Sequence, residues 1–112
     1  MESEIYTYLI EHNIGKDNMI KNKELRKIFN VGNDRSLRKI IQNIREDKDY
    51  YLVIGSKSGS DGGFYVCTTM DEVEETIENI RKRASQMYRT CHILEWKRAM
   101  NEDKWYLRIY FF

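Results

Sequence analysis

Asn22-Lys-Glu-Leu-Arg-Lys-Ile-Phe-Asn-Val-Gly-Asn-Asp-Arg-Ser-Leu-Arg-Lys-Ile-Ile-Gln-Asn-Ile-Arg45 is the stretch on which the fold turns. It reads as two short helices around a glycine turn. Asn22 is placed to cap the first, and Glu24 sits in its opening turn, where the helix dipole favours an acid. Leu25, Ile28 and Phe29 form its apolar stripe. Asn30-Val-Gly-Asn33 breaks the pattern, with Gly32 free to take positive φ. Asn33 or Asp34 starts the second helix, which reaches about Asp47. Its buried face is Leu37, Ile40, Ile41 and Ile44, which share one narrow arc at helical periodicity. A hairpin is expected next. Tyr51 to Ile54 is a strand by β-branched and aromatic content, Gly55-Ser-Lys-Ser-Gly-Ser-Asp-Gly-Gly63 is turn material, and Phe64 to Cys67 returns as the second strand.

Upstream, Ser3 can cap a helix that buries Ile5, Leu9 and Tyr8 and stops near Asn13, with Gly15 supplying a left-handed residue. Gly15 to Asn18 is a polar connector, and Met19–Ile20 is a candidate short strand. Downstream, Thr69-Met-Asp-Glu72 has the pattern of a capping box and opens the longest helix. Along it Val73, Ile77, Ile80, Ala84, Met87, Cys91 and Leu94 recur at alternating spacings of four and three, an a/d heptad seam. From Met70 to about Met100 such a helix spans about 45 Å. Lys104-Trp-Tyr-Leu-Arg-Ile-Tyr-Phe-Phe112 carries large apolar groups on both alternating faces and reads as a strand covered on both sides. The predicted organisation is residues 1–68, then the long helix 69–101, then the strand segment 102–112.

Composition narrows the function classes. The 112 residues are 41% hydrophobic and 33% charged, as expected of a folded chain with a modest core. No apolar run approaches the about 20 residues of a membrane span and no signal-peptide pattern opens the chain, so a cytoplasmic location is expected. Two cysteines are too few for a disulfide scaffold, and Cys67 and Cys91 are expected to be small buried hydrophobes. Proline is absent while Ile, Lys, Asn and Tyr are plentiful, a bias that fits an AT-rich coding sequence. The net charge of +1 conceals segregation: residues 21–48 hold nine basic side chains against four acidic ones, and residues 71–80 hold five acids and no base. A basic block in a neutral chain is the footprint of a polyanion partner, unless it merely solvates helix surfaces.

Position on the helix addresses that choice. Opposite the buried arc of the helix at residues 34–47 lie Arg35, Lys39, Gln42 and Glu46, flanked by Arg38 and Arg45 on one side and Ser36 and Asn43 on the other. Arg and Lys can bond the O6/N7 edge of guanine and Gln the N6/N7 edge of adenine, so Arg35, Lys39 and Gln42 are the base-reading candidates. Arg38 and Arg45, with Lys23 and Lys27 from the preceding helix, are better placed for phosphates, as are Asn33 and Ser36 at the helix start. At the hairpin tip Lys57, with Ser58 and Ser60, suits a backbone or minor-groove contact; a mobile hairpin with one solubilising lysine is the competing reading.

Helix, turn, helix, hairpin is the order of a winged helix-turn-helix. The run Asn22 to Arg45, and Gly63-Phe-Tyr-Val-Cys-Thr-Thr-Met-Asp-Glu-Val-Glu-Glu75 leading to Arg81-Lys-Arg-Ala84, resemble the winged-helix proteins of phages and mobile elements of low-GC Gram-positive bacteria. The resemblance covers about residues 1–95. It implies an α+β fold, a winged helix-turn-helix with a long C-terminal helix and a terminal β-strand, and a double-stranded DNA partner. The strand at Trp105 to Phe112 lies outside that family's pattern.

The seam has two readings. Either Val73, Ile77, Ile80, Ala84, Met87 and Leu94 pack on the chain's own first helix, or they pair with a second copy to give a homodimer; the seam's length favours the dimer. No enzyme is expected. Gly15-Lys16 lacks the upstream glycine of a phosphate loop, Gly59 to Gly63 leads into a strand, and the spacing of Cys67, Cys91 and His92 matches no zinc pattern. His12 reads as a helix-end residue and His92 as a helix-surface or interface residue. No metal, cofactor or small-molecule ligand is expected. The expectation is therefore a sequence-specific DNA-binding protein, a transcriptional regulator or accessory factor of a phage or mobile element. The alternative is a protein-interaction module, such as a phage inhibitor of a host protein, working through the long helix and the C-terminal strand.

Overall fold

A computed structural model describes residues 1–59 and 62–101, with the side chain of Asn101 excepted. The order is α1 (Glu2–His12), a 3-10 turn (Lys16–Asn18), α2 (Asn22–Phe29), α3 (Asp34–Glu46), β1 (Ile54–Lys57), β2 (Gly63–Val66) and α4 (Met70–Asn101). The described residues are thus mixed helix and sheet, with four α-helices and a two-stranded antiparallel sheet among them. The predicted strand at residues 104–112 lies outside the described residues.

Each of the first three helices contributes one apolar stripe to a shared core. Ile5 and Leu9 come from α1, Leu25 from α2, and Leu37, Ile41 and Ile44 from α3, all at most 1% exposed. The sheet closes the cluster with Ile54, Phe64 and Val66, and Ile20 joins from the connector. Phe29, Val31 and Ile40 pack at its margin, so Ile40 is half-buried rather than central. Tyr8 is likewise half-buried, stacked on His12 at 4.2 Å and edge-on to Phe29 at 5.5 Å.

The strand β2 is the hub of the sheet. On one side it pairs with β1, Ile54 opposite Val66 and Lys57 opposite Gly63. On the other, isolated bridges join Val66 to Ile14 and Phe64 to Ile20, so Ile20 pairs as a single bridge rather than as a strand. Gly63 makes this approach possible, since a Cβ there would stand 2.1 Å from the Ile20 carbonyl oxygen. At Gly55 the bare backbone makes room for the Tyr65 ring, which a Cβ would meet at 2.5 Å.

Local details depart from the sequence expectations in instructive ways. The strand expected over Tyr51 to Ile54 begins only at Ile54. Its partner's last rung is Cys67 N–H to the Val53 carbonyl, after which that chain turns into α4; Tyr51 is left 89% exposed. The left-handed residue of the α2–α3 turn is Asn30 (φ 55°, ψ 44°), not Gly32. Asn tolerates that region, and the Val31 N–H closes back on the Arg26 carbonyl at 2.8 Å, ending α2 as a Schellman turn does. Neither Ser3 nor Asn22 caps a helix: both lie one residue or more inside, behind Met1 and Lys21. The Asn22 Oδ1 instead accepts from Arg26 Nε at 2.7 Å.

Two compact units are distinguished, Met1–Ile77 and Glu78 onward, so the first two turns of α4 belong with the first unit. The reason is a set of contacts at the helix start. Thr69 Oγ1 accepts from the Glu72 N–H at 3.2 Å, while the Glu72 carboxylate accepts from the Thr68 N–H at 2.8 Å and the Lys16 N–H at 3.1 Å. The forward bond of the expected capping box, Thr69 to Glu72, therefore forms, while the Glu72 carboxylate reaches past it to Thr68 and the connector. Thr76 is 3% exposed. No helix among the described residues is long and apolar enough to cross a membrane.

Candidate nucleic-acid interface

The outer face of α3 is built by its own amphipathicity. Asn33 caps the helix, its Oδ1 accepting from the Ser36 N–H at 2.8 Å, and Asp34 complements the dipole in the first turn. With Leu37, Ile41 and Ile44 turned into the core, Arg35, Arg38, Lys39 and Gln42 remain exposed. Those four side chains line a single open hollow. Three cations and an amide thus stand together on one exposed helix face, where an anionic, hydrogen-bonding ligand would be favoured.

Their partners differ. Arg38 Nε pairs with Asp34 Oδ2 at 2.8 Å, both groups more than half exposed, and Gln42 Nε2 donates to Glu46 Oε1 at 3.0 Å. Exposed i,i+4 pairs of this kind are worth about 0.3–0.5 kcal/mol, so a phosphate or base edge can displace them at small cost. Arg35 and Lys39 engage no partner among the described residues. They are the two donors already available to a ligand.

The remaining candidates fall into three groups. Lys23 and Lys27 are exposed on α2, and Lys57 and Ser58 are exposed on the hairpin; Ser60 lies outside the described residues. Asn33 and Ser36 are exposed too, but the Asn33 side-chain Oδ1 already accepts from the Ser36 backbone N–H. Arg45 stands apart. It is half-buried, with Nε donating to the Ile54 carbonyl at 2.8 Å and Nη2 to Ser56 Oγ at 3.1 Å. Its expected place beside Arg38 on the phosphate-facing flank is therefore not where the guanidinium goes: it ties α3 to β1, next to Lys57.

Several polar contacts had no local signal in sequence because they join distant residues. Asn43 Nδ2 donates to Glu2 Oε1 at 2.9 Å, and Lys16 Nζ pairs with Glu75 at 2.7 Å. The Glu75 hydrogen bond raises the Lys16 ammonium pKa, and the Thr68 backbone N–H is the chief cause holding the Glu72 carboxyl below its usual range. Burial pushes both the Tyr65 phenol and the Cys67 thiol up.

On α4 the seam positions separate. Val73 is half-buried within the first unit, whereas Ile77, Ile80, Met87 and Leu94 are 37%, 42%, 69% and 58% exposed, and Ala84 is exposed as well. Cys67 is buried as expected, but Cys91 is exposed rather than buried. Among the described residues no group of three or more His, Cys, Asp or Glu side chains is placed to hold a metal ion. No family model matches this chain, and comparison with curated proteins and with solved structures returned no match.

Proposed function

We propose that this protein is a winged helix-turn-helix that binds double-stranded DNA in a sequence-specific way, as a regulator or accessory DNA-binding factor of a phage or mobile element. The observation that carries the reading is the hollow on α3, lined by Arg35, Arg38, Lys39 and Gln42 on a helix whose opposite face is the core. A helix of this kind fits the major groove, with N-terminal residues at base edges. Arg35 and Lys39 are the base readers in this proposal, and Gln42 joins them on releasing Glu46. Arg38, Lys23 and Lys27 take phosphates. Lys57 at the hairpin takes a neighbouring backbone or minor groove, and Arg45 holds that hairpin to α3 from inside.

The test is selection of the full chain on random-sequence duplex DNA at two salt concentrations, with Arg35→Glu/Lys39→Glu as control. Salt-sensitive enrichment of one sequence, lost in the control, supports the proposal. Absence of retention at low salt overturns it and moves attention to α4, whose exposed Met87, Leu94 and Trp96 favour a protein partner.

A further inference from the structure

From Ile77 onward, α4 presents an apolar face with a distinctive size pattern. Numbered as a heptad, the a positions are Ile77, Ala84 and Cys91, and the d positions are Ile80, Met87 and Leu94. Within the second unit the a residues are small and the d residues large. In a parallel pair each a layer faces its own copy, so Ala84 would meet Ala84 and Cys91 would meet Cys91. These thin layers would be wedged between thick Ile, Met and Leu layers, leaving voids of the kind that cost a core stability.

In an antiparallel pair every a residue faces a d residue. One register brings Ile80 of one copy against Cys91 of the other, Ala84 against Met87, and Ile77 against Leu94, centred between Ser85 and Gln86. Two of these three layers then combine one small and one large side chain, the interdigitation that close packing requires. The flanks agree. Position e supplies Arg81 opposite Tyr88, a cation beside an aromatic face, and position g supplies Arg83 opposite Thr90; no like charges face each other between residues 80 and 91. All of these side chains are exposed in the chain by itself.

We infer that residues 77–94 of α4 are a self-association surface and that its occupant is a second copy of this chain, running antiparallel with Ile80 opposite Cys91. This rests on the helix alone and holds whether or not α3 binds DNA. The seam is about two and a half heptads long, so a weak, concentration-dependent dimer is expected.

Disulfide trapping tests it with the full chain in a Cys67→Ala background. Under a mild copper oxidant, which takes two electrons and two protons from each thiol pair, Ile80→Cys is expected to give a covalent dimer. Peptide mass mapping should join position 80 to Cys91 across chains. On one helix these positions are about 16 Å apart, too far for a bond within the chain. With Ile80 intact, Cys91 is expected to remain reduced. A Cys91–Cys91 link in that protein, or a link between two engineered position-80 thiols, would overturn the antiparallel register. Sedimentation of the unmodified chain provides the independent check. A mass that rises toward the dimer with concentration and reverts to monomer in Met87→Glu supports the surface, and a monomer at every concentration up to hundreds of micromolar overturns it. Unchanged helical circular dichroism of Met87→Glu separates lost pairing from lost folding.

Discussion

Arg45 Nε donates to the Ile54 carbonyl at 2.8 Å, fastening the last turn of α3 to the first residue of β1. The same guanidinium reaches Ser56 Oγ at 3.1 Å, one residue before Lys57. A fork of two bonds from one rigid plane fixes the hairpin root against the helix proposed to read DNA, which a single ammonium could not do. Arg45→Met is therefore expected to lower stability by about 1–2 kcal/mol, in keeping with hydrogen bonds to a charged donor. Arg45→Lys should recover less than half of that loss. Denaturant midpoints at constant slope measure both, and an unchanged midpoint would show that the clamp contributes nothing.

Arg35 and Lys57 should differ in kind when removed. Arg35→Ala is expected to cost about 1–3 kcal/mol at the preferred sequence and to relax preference at one base position. Lys57→Ala should weaken all sequences alike and reduce the salt slope by about one unit. Titrations of specific and scrambled duplexes over a salt series separate the two. Equal loss on both duplexes for Arg35→Ala would sink the base-reading role.

Asn30 holds the left-handed conformation that ends α2. Asn30→Gly should be nearly neutral, because glycine takes positive φ freely, while Asn30→Val should cost about 1–2 kcal/mol by forcing a β-branched residue there. Gly32→Ala should be mild, since that residue's φ is not positive and a Cβ would meet nothing within 4 Å. Thermal melts of the three variants test the order, and a large loss at Gly32 with none at Asn30→Val would reverse it.

Glu72 carries the acid response of the helix start. Its carboxyl lies below its ordinary value of 4.5 because the Thr68 and Lys16 backbone N–H groups favour the charged form. A depressed native pKa means stability that is fully present above about pH 4.5 and is lost as pH falls through the lower native value. Melting temperature should thus decline on acidification beneath that point, and Glu72→Gln should flatten the decline while lowering stability at pH 7. A pH profile identical in wild type and variant would remove Glu72 from the response.

The exposed face of α3 could be read from the chain because both halves of the argument are local. Leu37, Ile41 and Ile44 recur at helical spacing, and once they face the core, geometry forces Arg35, Arg38, Lys39 and Gln42 outward. The same periodicity located the other helices to within about two residues at most ends. The start of α3 at Asn33 or Asp34 was equally local, and Asn33 is the cap, its bond being to a residue three positions on.

What tertiary structure alone decided involves partners far apart in sequence. Gly55-Ser-Lys57 has no strand propensity, yet it pairs with β2, and the Tyr65 ring lies against the bare backbone of Gly55. Arg45 looks like any surface base on a helical wheel, and only the approach of β1 turns it inward. Thr76 and Glu72 bind the first two turns of α4 to the first unit through contacts with Cys67 and Lys16. Periodicity specifies which face of an element is apolar, whereas the hydrogen bonds between elements depend on how those faces come together. The helices of this protein were therefore set by its local sequence, and the edges of its strands, the partner of Arg45 and the boundary within α4 by packing.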